Sequence, residues 1–165
     1  MRRAVGPIRR ASSFLARARE ANDPSVLLGR FRSKGQVFDQ CLDDANFEVC
    51  AIGSDGVECT LTVTPELCNN YKTLHGGATS TLVDVVGTLA LLGKDPTRPG
   101  VSVEMNQSFT SAAKLGDQLR ITGKVLRSGK TLGFTEVNIY SADDSARLIA
   151  TGRHTKFLDV VPPKT

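Results

Sequence analysis

The sequence predicts an α+β fold in which antiparallel strands surround one buried helix. Residues 74–92 form a long apolar stretch of helical length, with two strand-like runs before it and four after it. A helix that is apolar on nearly every side belongs in a core. The strand-like runs after this stretch are joined by short turns, which connect antiparallel neighbours and exclude βαβ units. Strands segregated around one helix therefore indicate an α+β architecture of about six strands.

The elements can be placed in chain order. Asn22-Asp23-Pro24-Ser25 predicts the start of an N-terminal helix that runs to about residue 42. Residues 47–52 and 57–63 are predicted strands joined by a Gly-Ser-Asp-Gly hairpin turn. Residues 65–72 form a loop and residues 93–100 end the central helix. The remaining strands cover residues 101–110, 118–126, 131–140 and 147–158, and in the first of them Val101, Val103 and Met105 alternate with polar residues.

The positive charge is concentrated at the N-terminus. Residues 1–22 hold six arginines and one acid, whereas the rest of the chain holds fifteen basic and sixteen acidic residues. With nine aromatic residues and no basic stripe, the folded part is not expected to bind nucleic acid. Residues 1–22 have the composition of a mitochondrial transit peptide. A basic tail in a cytoplasmic protein is the alternative, and residues 161–165 are expected to be a loose tail.

The four cysteines lie nine residues apart, at Cys41, Cys50, Cys59 and Cys68, without the spacing of a zinc site. We therefore expect reduced, packed thiols and no metal. Cys50 and Cys59 flank the predicted hairpin turn and would face each other if the strand register permits. No apolar run reaches the roughly 20 residues of a membrane span, so none is expected.

Asp84 lies in the middle of the apolar helix. Its helical neighbours are Ser80, Thr81, Gly87 and Thr88, so no nearby Lys or Arg of the helix can pair with it. A carboxylate without a cation in such a helix is costly and is usually kept for chemistry, although a structural carboxylate that caps a backbone group is the alternative. The helix opens with His75-Gly76-Gly77, where free backbone N–H groups can meet a ligand.

Six segments together resemble the hotdog-fold acyl-CoA thioesterases, in particular their acyl-coenzyme A thioesterase 13 branch. They are residues 73–77, 82–84, 99–103, 113–117, 129–132 and 152–156, in the expected order within about residues 38–158. The resemblance implies a curved antiparallel sheet wrapped around the central helix, in a hotdog domain over residues 23–160. It implies hydrolysis of fatty or aromatic acyl-CoA to free acid and coenzyme A, with no cofactor. Ser111-Ala-Ala-Lys114 departs from the Ser-Pro-Ala-Lys of many relatives.

The resemblance also implies roles for individual residues. Asn69 and the N–H of Gly77 polarise the substrate carbonyl, and Asp84 and Ser102 hold the attacking water. Apart from the resemblance, His75 is expected to orient the loop at the helix entrance, and a role as a base is the alternative. Asp84 is either a general base or a direct nucleophile. Coenzyme A is expected to contact Phe109, Thr110, Ser111, Lys114, Arg127, Ser128, Gly129, Lys130, Thr131 and Lys156. His154 either lies near the nucleotide or is structural.

The implied site is shared between subunits. Asn69 and Gly77 of one chain face Asp84 and Ser102 of another, so the resemblance implies a homodimer, with pairs of dimers forming a homotetramer. We expect Asp84 to be ionised and to have no cationic partner. A non-catalytic acyl-CoA binder on the same fold is the alternative function. An enoyl-CoA hydratase is disfavoured, because His75 precedes Asp84 by about two and a half helical turns.

Overall fold

The computed structural model describes Leu42 and residues 45–159. The predicted N-terminal helix, except for Leu42 at its end, lies outside these residues. So do the basic segment 1–22 and the tail 161–165, and the expectations for all three stay predictions.

The described chain consists of six strands and one long helix. The strands are β1 (Glu48–Gly53), β2 (Gly56–Thr62), β3 (Val101–Phe109), β4 (Gln118–Ser128), β5 (Leu132–Ser141) and β6 (Leu148–Phe157), and the helix is α1 (Gly76–Lys94). The strands form one sheet in the order β1-β2-β4-β5-β6-β3, and all neighbours are antiparallel. A short 3₁₀ helix, Pro65–Leu67, lies in the predicted loop. The predicted α+β architecture is confirmed, with most strand ends within two residues of their predicted positions.

α1 is the core of the molecule, and it contacts all six strands. Leu82, Val86 and Leu89 are fully buried between the helix and the sheet. Each such side chain stabilises the fold by about 1.5–3 kcal/mol on burial. By length and composition α1 would suffice to span a membrane, but 61% of its apolar window is buried inside the molecule. Burial by its own sheet identifies α1 as the core helix of this fold.

β3 is an edge strand that pairs only with β6. Val101 and Val103 on this edge are 51% and 60% exposed. A β-bulge between Ser102 and Glu104 interrupts the register with β6. The predicted alternation along β3 is therefore wrong, because the extra residue turns both Ser102 and Met105 toward the same cavity beside α1.

The cysteines of the described region are free thiols. Cys50 is exposed beside the hydroxyl of Thr60, whereas Cys59 is fully buried in the core, so the two do not face each other across the hairpin. Burial raises the pKa of the Cys59 thiol, which keeps it protonated. Within residues 45–159 no group of three or more His, Cys, Asp or Glu side chains has the arrangement of a metal site.

Candidate active site

The carboxylate of Asp84 meets two side chains from the sheet. Ser102 Oγ, on β3, donates a hydrogen bond to Asp84 Oδ1 at 2.8 Å. His154 Nε2, on β6, lies 3.1 Å from the same Oδ1 and 2.9 Å from Ser102 Oγ. These three polar groups form a compact cluster that joins the central helix to two strands.

His154 is the enclosed member of the cluster. Its side chain is fully buried, whereas 48% of the Asp84 side chain is exposed. Burial lowers the pKa of His154, the carboxylate of Asp84 opposes this, and the charge of Lys156 lowers the pKa further. The imidazole is therefore uncharged at neutral pH. Its Nδ1 has no hydrogen-bond partner in the described part of the chain, so the one proton belongs on Nε2, directed at Asp84 and Ser102.

Gly87 provides the space for this imidazole. A Cβ at position 87 would lie 2.9 Å from His154 Nδ1 and 2.8 Å from Thr135 Oγ1. Both distances are shorter than the roughly 3.5 Å at which nonbonded carbon contacts become favourable. The absence of a side chain at Gly87 thus lets β6 bring His154 directly against α1.

Asp84 has a basic neighbour that the sequence did not predict, although the expectation that it has no cationic partner is not contradicted. β6 brings both His154 and Lys156 against this part of α1, although neither is near Asp84 in sequence. The carboxylate is nevertheless not neutralised by a direct ion pair. Its contact with His154 is with an uncharged ring, and the ammonium of Lys156 donates to Thr88 Oγ1 at 2.7 Å.

The structure also contradicts the prediction that Lys156 contacts coenzyme A. Its side chain is 5% exposed, because it is enclosed between β6 and α1. A phosphate group cannot reach an ammonium in that position. The sequence prediction of a counter-charge at Lys156 is therefore wrong.

The cluster opens into a cavity of about 410 Å³ at the exposed edge of the molecule. The cavity is lined by Gly77, Ser80, Thr81, Asp84, Val85, Ser102, Met105 and His154. The wall thus combines one carboxylate and several hydroxyl groups with apolar side chains. A cavity of this kind can hold a water beside Asp84 and part of an apolar ligand.

His75 caps the start of α1. Its Nδ1 accepts a hydrogen bond from the Gly77 N–H at 2.8 Å. This hydrogen bond is in keeping with the expected orienting role of His75. It also occupies the Gly77 amide, which the resemblance implies for the substrate carbonyl. The N–H of Gly76 has no partner among the described residues. Of the two glycine amides at the helix start, the free one is therefore that of Gly76.

Asn69 organises the loop that leads into α1. Its Oδ1 accepts from the backbone N–H groups of Tyr71 and Thr73 at 2.9 and 3.2 Å, and its Nδ2 donates to Thr73 Oγ1 at 2.9 Å. Asn69 also lines a second cavity of about 430 Å³, together with Leu74, Gly76, Thr79, Phe109, Thr110, Ser111, Ala112, Ala113 and Ile149. The second cavity thus contains Asn69, the free Gly76 amide and three of the predicted coenzyme A contacts.

The predicted site is therefore divided between two cavities of one chain. Gly76 precedes Asp84 by eight residues in α1, which corresponds to about 12 Å along the helix axis. Hydrogen bonds reach only about 3 Å. A single substrate carbonyl beside Gly76 cannot share a water with Asp84 of the same chain.

The remaining predicted coenzyme A residues lie at the β4–β5 turn. Arg127, Lys130 and Thr131 are exposed there, as Lys114 is in the loop after β3. The guanidinium of Arg98, in the loop before β3, donates to the carbonyl oxygens of Gly129 and Lys130. Because Val101, Phe157 and Leu132 are aligned across three strands, this turn lies at the same end of the sheet as Ser102.

Sequence reasoning missed the contributions of His154, Lys156, Arg98 and the Gly76 amide. A signal for two of them was present, since His154 and Lys156 are two residues apart and therefore share one strand face. That this face meets Asp84 follows only from the pairing of the strands around α1.

Comparisons with known proteins agree with this architecture. Residues 71–155 match the family model described as the Thioesterase superfamily. Human acyl-coenzyme A thioesterase 13 is 44% identical over 126 residues, which are 76% of this chain and 88% of that protein. The structure of zebrafish thioesterase superfamily member 2 has a TM-score of 0.75 and 38% identity, over 82% of this chain and 94% of that one.

A hypothetical thioesterase of Streptococcus pneumoniae, whose structure contains coenzyme A, has a TM-score of 0.66 and 26% identity, over 73% of this chain and 93% of that one. The family model covers more than half of the chain. The chain therefore belongs to the thioesterase superfamily and has its hotdog fold.

Proposed function

We propose that this protein hydrolyses acyl-CoA thioesters to a free acid and coenzyme A. The observation that carries the proposal is the cluster of Asp84, Ser102 and His154 at the wall of an open cavity. The name of the human relative, acyl-coenzyme A thioesterase 13, and the presence of coenzyme A in the streptococcal structure both support acyl-CoA thioesters as the substrate class.

Asp84 is the proposed general base. Its Oδ1 is already engaged by Ser102 and His154, and about half of its side chain faces the cavity. A water held between Asp84 and Ser102 attacks the carbonyl carbon and loses a proton to the carboxylate. The carbon–sulfur bond then breaks, and the proton passes from Asp84 to the departing thiolate. Direct attack by the carboxylate, which releases the thiolate and forms a mixed anhydride, is the alternative. Attack of ¹⁸O-labelled water on the Asp84 carbonyl of that anhydride in a single turnover labels Asp84, which the general-base path does not do.

The oxyanion is proposed to bind the N–H of Gly76 rather than that of Gly77. The Gly77 amide is used by the His75 cap, whereas Gly76 shares a cavity with Asn69. An amide N–H in the first turn of a helix lies at the positive end of the helix dipole. Developing negative charge is stabilised at that position. Asn69 then acts beside it, held in place by the loop contacts of its own side chain.

Two chains are proposed to form each site. One contributes Asn69 and Gly76, and the other contributes Asp84, Ser102 and His154. The separation of the two cavities along α1 supports this arrangement, as does the unpaired, apolar edge of β3. A two-fold axis beside β3 would place each half-site against its complement and create two equivalent sites per dimer. Association of two dimers into a tetramer follows from the same resemblance.

Coenzyme A is proposed to extend from the site along the exposed residues at two surfaces. These are the loop after β3, with Phe109, Thr110, Ser111 and Lys114, and the β4–β5 turn, with Arg127, Ser128, Gly129, Lys130 and Thr131. Arginine and lysine in these positions supply charge for the phosphate groups.

The first test is Asp84→Asn, assayed by release of free thiol from acyl-CoAs of short, long and aromatic acyl chains. Loss of the general base is expected to lower kcat by at least about 100-fold. Because the change is isosteric and the side chain is half exposed, the melting temperature should stay close to that of the wild type. Asp144→Asn, in the exposed β5–β6 loop, is the matched control and should keep full activity.

Two results would contradict the proposal. Near-normal turnover by Asp84→Asn would remove Asp84 from the reaction. If the wild-type protein binds acyl-CoAs but releases no thiol from any member of the panel, the protein is a non-catalytic binder.

A further inference from the structure

Lys156 is a buried charge that the proposed reaction does not use. It is 5% exposed and lies directly across the ladder from Ser102, on the side of β6 that faces α1. Lysine is almost never fully buried unless its ammonium is paired, because loss of water around the charge is costly. A lysine in this position therefore needs a physical account.

The ammonium of Lys156 is held one helical turn from the catalytic carboxylate. Its Nζ donates to Thr88 Oγ1 at 2.7 Å, and Thr88 Oγ1 in turn donates to the main-chain oxygen of Asp84 at 2.7 Å. Lys156 is not among the residues that line the Asp84 cavity. Lys156 therefore acts on the cluster through its charge, from outside the cavity, and does not contact a substrate.

Two basic groups thus compete for one carboxylate. α1 contributes Asp84 and Thr88, β6 contributes His154 and Lys156, and β3 contributes Ser102. A sixth residue, Thr135 on β5, donates to the main-chain oxygen of His154. Since Asp84 is the single negative charge in this set, it can neutralise one of the two basic groups but not both.

The two basic groups respond differently to burial. Burial lowers the pKa of Lys156, but the Asp84 carboxylate opposes the shift, and an ordinary lysine pKa lies about three units above neutrality. The hydrogen bond that Nζ donates to Thr88 Oγ1 and the nearby carboxylate of Asp84 both favour the ammonium form of Lys156. Burial and this ammonium together lower the pKa of His154, so the imidazole is the group that gives up its proton.

We infer that Lys156 is a positioning residue whose ammonium, in addition to burial, disfavours a second proton on His154, so that the imidazole holds Ser102 and Asp84 with its single Nε2 proton. The inference rests on the proposed function for its link to catalysis. A doubly protonated ring would place a second N–H on Nδ1, where no acceptor exists among the described residues. It would also form an ion pair with Asp84, which would weaken that carboxylate as a base.

Lys156→Met tests the inference, because it removes the charge but keeps the length and burial of the side chain. Replacement of a buried charge by an apolar group of similar volume is often tolerated or stabilising. We expect the midpoint of the His154 titration, measured by NMR of the ring protons, to rise by about one pH unit. The acidic limb of the kcat–pH profile should move to higher pH by a similar amount.

Two control variants accompany Lys156→Met. Lys156→Arg keeps the charge and should keep the wild-type midpoint of His154. Lys124→Met removes an exposed charge on β4 and should leave the titration and the activity unchanged.

An unchanged His154 midpoint in folded Lys156→Met would overturn the inference. So would a loss of rate that is equal at every pH, since that pattern indicates a structural role. The NMR titration needs no substrate, so it tests Lys156 even if no acyl-CoA proves to be hydrolysed.

Discussion

At the scale of single residues, the candidate site depends on which polar groups are already occupied. The Gly77 amide is capped by His75, whereas the neighbouring Gly76 amide is free. Likewise, Asp84 is stabilised by Ser102 and an uncharged histidine and not by a direct cation. These differences decide which donor can bind an oxyanion and which acceptor can take a proton.

Gly76→Pro deletes the proposed oxyanion donor with little change in the backbone. Gly76 is the first residue of α1, where proline is favoured, and His75 before it has φ −69° and ψ 139°, which a following proline accepts. Loss of this N–H should lower kcat by about 10²–10³-fold, with a smaller effect on substrate affinity. Steady-state kinetics of thiol release measures this change.

Gly76→Ala is the control for that experiment. It keeps the N–H, and its Cβ would lie 3.5 Å from the ring of Phe109, an ordinary contact. If Gly76→Ala and Gly76→Pro lose the same activity, the amide is not the donor and the effect comes from the side chain.

His154 should make the stability of the protein depend on pH. Its pKa is lower in the folded chain than its ordinary value of 6.5, because burial disfavours the charged ring. Below that value the unfolded chain binds more protons than the folded chain, so stability falls as the pH drops below about 6.5. Once the pH is below the pKa of His154 in the folded chain, His154 no longer makes stability depend on pH.

The expected observation is a melting temperature that decreases between pH 7.5 and 5.5 in the wild type. His154→Gln should remove most of that decrease, whatever its own stability. An equally large decrease in His154→Gln would assign the pH dependence to other groups.

At the scale of elements, one bulge and one turn shape the site. The bulge in β3 brings Ser102 and Met105 to the same side of an edge strand, which a regular strand would place on opposite sides. The β4–β5 turn is tied by Arg98 to the loop that precedes β3. The proposed nucleotide surface and Ser102 are thereby held at one end of the sheet.

Arg98→Ala should loosen the turn without changing the chemistry. We expect KM for acyl-CoA to rise roughly fivefold to tenfold, the effect of losing about 1–1.4 kcal/mol of ordered hydrogen bonding, with kcat nearly unchanged. An acyl-pantetheine thioester, which lacks the nucleotide, should show no change in KM.

Arg120→Ala is the matched control for Arg98→Ala. Arg120 lies over the ring of Tyr140 at 4.9 Å, away from the turn. An equal rise in KM for both thioesters in Arg98→Ala would place the effect in the acyl site and exclude the nucleotide.

At the scale of the whole molecule, the two halves of the proposed site lie in separate cavities of one chain. The exposed apolar edge of β3 lies between these halves. Because β3 pairs with β6 on one side only in the described part of the chain, its other side is free to pair with a second copy of the chain. The whole assembly, and not the single chain, is therefore the proposed catalytic unit.

Complementation between two inactive variants tests this arrangement. Gly76→Pro and Asp84→Asn are co-expressed with different affinity tags, and the doubly tagged protein is isolated. Each doubly tagged dimer has one intact site of two, so the isolated protein should have roughly half of wild-type activity. Doubly tagged protein without activity would show that each site is built within one chain.

The sequence by itself determined the α+β fold, the order of the strands along the chain and the choice of Asp84 as the candidate catalytic residue. It did so because a helix that is apolar all round must be buried, and a carboxylate inside it is conspicuous. The resemblance added Ser102 and Asn69, which the structure places at the walls of the two cavities.

Only the tertiary structure decided which groups act on Asp84. His154 and Lys156 lie about 70 residues from it in sequence and reach it through strand pairing around α1, which local patterns do not encode. The choice between Gly76 and Gly77 depended on one side-chain hydrogen bond, and the burial of Lys156 depended on packing from both sides. Local residue patterns fix periodicity and charge, whereas contacts between distant segments fix protonation, access and hydrogen-bond partners.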